Sequence, residues 1–215
     1  MKLVKFWLLF TAAFFCCASL VHASDDTEYW SMHTFSAKIN ERVKLNLLEE
    51  FRMKSDMGNF YTYVQYVGAS YKVSDYFDVA GWYKLVSSKA NQNWTETHRY
   101  DIDGTLKIDL DGFKLSNRSR FERNTNASSW LYRDRIKVTK KVKLFDRDYT
   151  PFLSNEFFLD IEPNDGYHEN RASGGISTDF IWGTKLTLYY MSLAKKSSGE
   201  WNSANVIGTT VGVSF

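Results

Sequence analysis

Residues 99–123 read RYDIDGTLKIDLDGFKLSNRSRFER, two alternating segments on either side of the dipeptide Asp111-Gly112. Asp-Gly favours a two-residue type I′ turn because both positions tolerate positive φ, so the segments are expected to fold back on each other as a β-hairpin. The turn then sets the register. With Leu110 opposite Phe113, Ile108 meets Leu115 and Ile102 meets Phe121 on one face; Asp109 meets Lys114, Thr105 meets Arg118 and Asp103 meets Arg120 on the other. The hairpin therefore carries one aliphatic face and one charged face.

The pattern continues in both directions. In residues 42–53 the odd positions hold Val43, Leu45, Leu47, Phe51 and Met53, broken by Glu49, while the even ones hold Arg42, Lys44, Asn46, Glu50 and Arg52, broken by Leu48. Further segments of this kind cover 29–38, 60–73, 76–87, 130–142, 149–159, 168–179, 184–194 and 204–215. Connections are short at 74–75, 111–112, 143–148 and 181–183, and longer and polar at 54–59, 89–96, 124–129, 160–167 and 195–202. Beyond Ala23 no run of ten residues is apolar, so a membrane crossing must use strands. Inside a bilayer only helices and closed barrels satisfy every backbone hydrogen bond, and barrel strands alternate over about 9–11 residues. The expected fold is all-β, a transmembrane antiparallel up-and-down β-barrel. Eleven segments conflict with the even strand numbers of bacterial single-chain barrels, and with both termini on one side the 29–38 segment runs in the wrong direction. About ten full strands are expected, with twelve as the alternative. A soluble lipocalin-like or sandwich protein in the periplasm, with its apolar residues inside, is the competing architecture.

The two ends agree with export. Lys2 and Lys5, an apolar run from Phe6 to Leu20 and the small-residue site Val21-His22-Ala23 read as a signal peptide over 1–23, leaving a barrel domain over 24–215. Cleavage removes both cysteines, Cys16 and Cys17, and two lysines, so the net charge of +2 becomes 0. No disulfide framework, thiol nucleophile or cysteine-ligated metal is then available, and the charge gives no argument for nucleic acid. At the other end Val211, Val213 and Phe215 alternate up to an aromatic terminus, which resembles the closing-strand signal read by the bacterial barrel-assembly machinery. The expected location is the outer membrane of a Gram-negative bacterium, with the periplasm as alternative. Outer-membrane lipids, the assembly machinery and small solutes are the expected partners of a monomer.

Landmarks along the mature chain resemble a family of bacterial outer-membrane barrels classified only as a domain of unknown function: Asp26-Thr27-Glu28-Tyr29-Trp30, Glu49-Glu50-Phe51-Arg52, Tyr132-Arg133-Asp134-Arg135, Asn170-Arg171 followed by Gly174-Gly175, Tyr189-Tyr190 and terminal Phe215. The resemblance implies fold and location and names no reaction. A more distant similarity is to small oligosaccharide porins with basic lumens.

If the aliphatic face meets lipid, then Arg99, Asp101, Asp103, Lys107, Asp109, Lys114, Arg118, Arg120 and Glu122 face the lumen, joined by Arg133, Arg135 and Lys137 from the next strand. Arginines on a pore wall bind carboxylates in two-point fashion and would favour anionic solutes in a passive channel. The same charges paired with one another would instead plug a narrow barrel. A third reading, a lipid-acting hydrolase, rests on His33, His98 and His168 as general bases, but neither Gly-x-Ser-x-Gly nor His-Glu-x-x-His occurs, so no catalytic residue is assigned. Glu162-Pro163-Asn164-Asp165-Gly166 is first a turn and only then a Ca²⁺ candidate, and no cofactor or metal is expected. Tyr61, Tyr63, Tyr71, Phe77, Tyr83, Trp130, Tyr132 and Tyr190 read as an interfacial girdle, and Trp94 and Trp201 as loop residues placed to stack on a ligand or on headgroups.

Overall fold

The computed structural model describes residues 26–90, 93–127, 129–161, 166–197 and 199–215, so the expected signal peptide and residues 162–165 of the acidic turn lie outside it. Alternating aliphatic, aromatic and β-branched residues build the strands β1 (Asp26–Lys38), β2 (Val43–Lys54), β3 (Asn59–Lys72), β4 (Phe77–Ala90), β5 (Asn93–Leu110), β6 (Phe113–Asn124), β7 (Ser129–Lys140), β8 (Val142–Leu144), β9 (Arg147–Asp160), β10 (Tyr167–Asp179), β11 (Thr184–Ser197) and β12 (Glu200–Ser214). Each pairs with its sequence neighbour, except that β7 pairs with β9 and not with β8; β12 returns to β1 and closes the sheet. β8 prolongs the β7–β9 hairpin past a break at Lys141 and stands outside the ring.

The ring therefore holds 11 strands, correcting the expectation of ten or twelve. An odd meander brings its first and last strands together pointing the same way, and β1 pairs with β12 in parallel from Asp26↔Ala204 to Ser36↔Ser214. All other neighbours in the ring are antiparallel. The wrong direction of the 29–38 segment is thus a property of the fold. The seam runs on into the terminal residue, where the Phe215 N–H donates to the Ser36 carbonyl (2.9 Å) and the Lys38 N–H to the Phe215 carbonyl (3.0 Å). Asp26 sits at the rim of the connections expected to be long (the long-connection rim) and Phe215 at the rim of those expected to be short (the short-turn rim). The strand bounds leave 2 to 6 residues at both rims, because β4, β5, β11 and β12 run on through the polar segments 89–96 and 195–202.

The β5–β6 hairpin has the expected register throughout: Leu110↔Phe113, Ile108↔Leu115 and Ile102↔Phe121 alternate with Asp109↔Lys114, Thr105↔Arg118 and Asp103↔Arg120. Asp111 and Gly112 take positive φ (45° and 81°), as a type I′ turn requires. The interior is charged along β5 and β6 and apolar along β11, β12 and β1, where Trp30, Met191, Leu193, Ala204 and Val206 are buried together. Asp101 is 1% exposed inside the barrel, whereas its neighbour Ile102 is 66% exposed outside; Leu45, Val67, Leu106, Ile108, Leu110, Ile136 and Leu188 are likewise exposed. Two bulges at the long-connection rim disturb the alternation. Pairing skips from Arg52↔Thr62 to Met53↔Phe60, leaving Tyr61 as the extra residue, and from Glu169↔Phe158 to Tyr167↔Leu159, leaving His168.

Candidate functional site

The lumen is built by strand register. On β4, β5 and β6 the alternation brings Lys84, Asp101, Asp103, Arg120 and Glu122 onto one inner wall. Lys84 donates to Glu122 (2.5 Å) and lies 3.3 Å from Asp101; Arg99 donates to the other Glu122 oxygen (2.6 Å). Arg120 forks onto Asp103 (2.5 and 2.7 Å) and reaches Asp101 with its remaining nitrogen (2.8 Å), while the Trp82 indole also donates to Asp103 (3.2 Å). From β7, Arg133 joins Glu122 (3.4 Å) to Glu156 of β9 (3.0 Å), and Arg118 donates to the same Glu156 oxygen (2.6 Å). Charges taken out of water are tolerated only when opposite charges and hydrogen bonds replace the lost hydration, and this wall supplies them as a continuous chain.

The opposite wall reaches across to it. Arg52 pairs with Glu50 (2.8 Å) and Arg171 with Glu169 (2.6 Å), and Glu28 accepts from the Trp30 indole and the Tyr61 hydroxyl (2.7 Å each). The Arg52 guanidinium lies 3.9 Å from the Trp30 ring centre, with Arg171 at 4.9 Å from the same ring. Arg171 and Arg133 both lie over Phe158, at 4.5 and 4.4 Å. These contacts join β1, β2, β7, β9 and β10 across the lumen. The result is a waist of Trp30, Arg52, Tyr66, Arg133 and Arg171 between two chambers, about 510 Å³ toward the short turns and about 550 Å³ toward the long connections.

Of the residues singled out from the sequence, Arg99, Asp101, Asp103, Arg118, Arg120, Glu122 and Arg133 are joined in the ion-pair chain. Arg135 and Lys137 line the turn-side chamber. Lys107 pairs with Asp78 near the short-turn rim, and Asp109 and Lys114 form an exposed 4.0 Å pair. Val211 lies opposite Leu186 and Val213 opposite Thr184, while Phe215 is exposed at the end of the seam. Sequence reasoning did not assign Trp30, Lys84, Glu156, Glu169 or Arg171 to the lumen. Glu50 and Arg52 were visible as the polar set of their strand.

Several expectations change. Tyr61 is not a girdle residue, because the bulge turns its hydroxyl onto Glu28. Trp94 and Trp201 belong to β5 and β12 rather than to loops, against Phe60 (5.4 Å) and Tyr167 (5.2 Å). His33 packs on Phe51, and the His98 ring meets the Tyr83 hydroxyl (2.6 Å). His168 lines the loop-side chamber with Nδ1 3.1 Å from Asp160, a contact too poorly aligned to count as a hydrogen bond. Among the described residues no serine or threonine hydroxyl hydrogen-bonds any of these rings, and no group of three potential metal ligands is present.

A family model described as "Protein of unknown function (DUF2490)" matches residues 27–204, from the second residue of β1 into β12. No curated protein matches the chain. Nothing in the comparison supports the more distant likeness to oligosaccharide porins.

Proposed function

We propose that this chain, which belongs to the DUF2490 family of proteins of unknown function, is an outer-membrane barrel whose lumen is closed by that waist and which acts as a binding barrel rather than as a passive channel. The membrane reading is supported by the outward aliphatic face and by strand length. All ring strands have 12 to 18 residues, more than the roughly 9–11 needed to span hydrocarbon. The short-turn rim adds an aromatic crown of Tyr76, Phe145, Phe180, Trp182 and Phe215, all exposed. Phe145 and Trp182 hold their tips at positive φ (49° and 55°), a conformation that costs a bulky residue of order 1 kcal/mol or more. Asn or Gly would relieve that cost, and lipid headgroups suit aromatic side chains exposed at such a rim.

The observation that carries the closed lumen is burial at the waist. A water-filled pore wets its wall, yet Trp30, Glu50, Glu122 and Phe158 are all under 5% exposed. In planar bilayers the refolded protein is expected to be silent, and the Trp30→Ala, Phe158→Ala double variant, which removes the ring faces under Arg52, Arg133 and Arg171, to give conductance steps. Stable steps from the unaltered protein would return the chain to the passive-channel reading.

A further inference from the structure

We infer that the turn-side chamber is a binding site for the carboxylate or phosphate of a small organic solute. This deepens the closed-barrel reading above and rests on it for access from the short-turn end alone. On adjacent strands Arg118 and Arg135 stand directly opposite each other and both line the chamber, a like-charge pairing that is unfavourable unless something neutralises it. Lys137 follows two residues along β7 and rests 4.0 Å over the Phe152 ring. The nearest carboxylate in register with Arg135 is Glu156, but its Oε1 already accepts from Arg118 and Arg133. Among the described residues Arg135 has no ion pair, Lys137 has only the ring beneath it, and the Arg118 Nε–H is buried without an acceptor.

This corner of the wall therefore presents the Arg135 guanidinium and the Lys137 ammonium to the chamber, and oxyanions are the ligands such a fork binds in two-point fashion. A bare ion does not fill the volume. The chamber also offers the rings of Trp82 and Tyr189 and the hydroxyl of Thr105, and about 510 Å³ suits one small organic molecule. The ligand class is a compact organic acid or phosphate ester with an uncharged body that lies against those rings.

The test is isothermal titration of the full chain, refolded in detergent, with glucuronate, glucose 1-phosphate, inorganic phosphate and, as neutral control, glucose. Glucuronate or glucose 1-phosphate should bind and glucose should not, with affinity falling as salt rises. Arg135→Gln and Lys137→Gln should each weaken binding roughly ten- to hundredfold. Both variants should also unfold at a higher temperature than the unaltered protein without ligand, because each removes an unneutralised charge. Preference between the two sugar ligands distinguishes a carboxylate source from a phosphate source. The inference fails if a folded barrel binds none of the three anions, or binds them equally well with both cations removed. Conductance from the unaltered protein would defeat the closed lumen while leaving the titration to judge the site on its own.

Discussion

Glu122→Ala should lower the unfolding free energy by about 3–5 kcal/mol, the range for removing one partner of a buried charge network. Glu122 takes Lys84 and Arg99 on its two oxygens and lies within 3.4 Å of Arg133, so its loss strands the buried Lys84 ammonium beside Asp101 alone and frees Arg99. The cost is the desolvation of cations that no longer have a partner, so the companion change matters as much. Replacing Lys84 by Met and Glu122 by Leu together should recover a large part of the loss, because a well-packed apolar pair carries no such penalty. Urea titration followed by tryptophan fluorescence measures both. A loss below about 1 kcal/mol for the single variant would show that water reaches Lys84 and hydrates it, which contradicts a sealed waist.

The second large effect is steric. Gly175 of β10 stands opposite Phe152 and Tyr189, and a Cβ added there would lie 2.4 Å from the Leu188 carbonyl oxygen, 2.6 Å from Tyr189 Cβ and 2.9 Å from the Phe152 ring. The first two contacts sit on or next to backbone and cannot swing aside. Gly175→Ala should therefore cost about 1–3 kcal/mol or more through overpacking and loosen the β9–β10–β11 wall. Gly81→Ala is the control, since a Cβ there meets nothing within 4 Å; its effect should be near zero. Equal midpoints for the two variants in the same titration would show that the β10 wall yields.

The hairpin was legible to the residue because two strands and a turn constrain one another: one choice of turn fixes every pair between Leu110↔Phe113 and Ile102↔Phe121. The eleven alternating segments are legible too, and it is the even strand number of bacterial single-chain barrels that this ring departs from. Antiparallel pairing is the habit of such barrels, but only the parallel Trp30↔Gly208 neighbourhood tells that β1 and β12 run together, and no local pattern encodes it. Alternation identified which face is charged but not how the faces meet across the lumen. Trp30 under Arg52 and Arg171 unites strands far apart in sequence, at a spacing set by strand number and shear. Tyr61 was misplaced for a local reason, since one extra residue at a bulge reverses the parity on which inside and outside are counted.

The parallel seam has a topological consequence for engineering. In a meander with an even number of strands the chain ends are neighbours, and a few residues of linker allow circular permutation. Here the seam from Asp26↔Ala204 to Ser36↔Ser214 separates Asp26 from Phe215 by at least ten residue steps, about 33 Å measured along the strands. In the membrane location proposed for the barrel, a linker outside would have to cross hydrocarbon with unpaired backbone, and one inside would have to thread the waist. Permutants that fuse Phe215 to Asp26 are therefore expected not to close, and a peptide epitope placed before Asp26 should be cut by protease added on the side opposite to the one that reaches an epitope placed after Phe215.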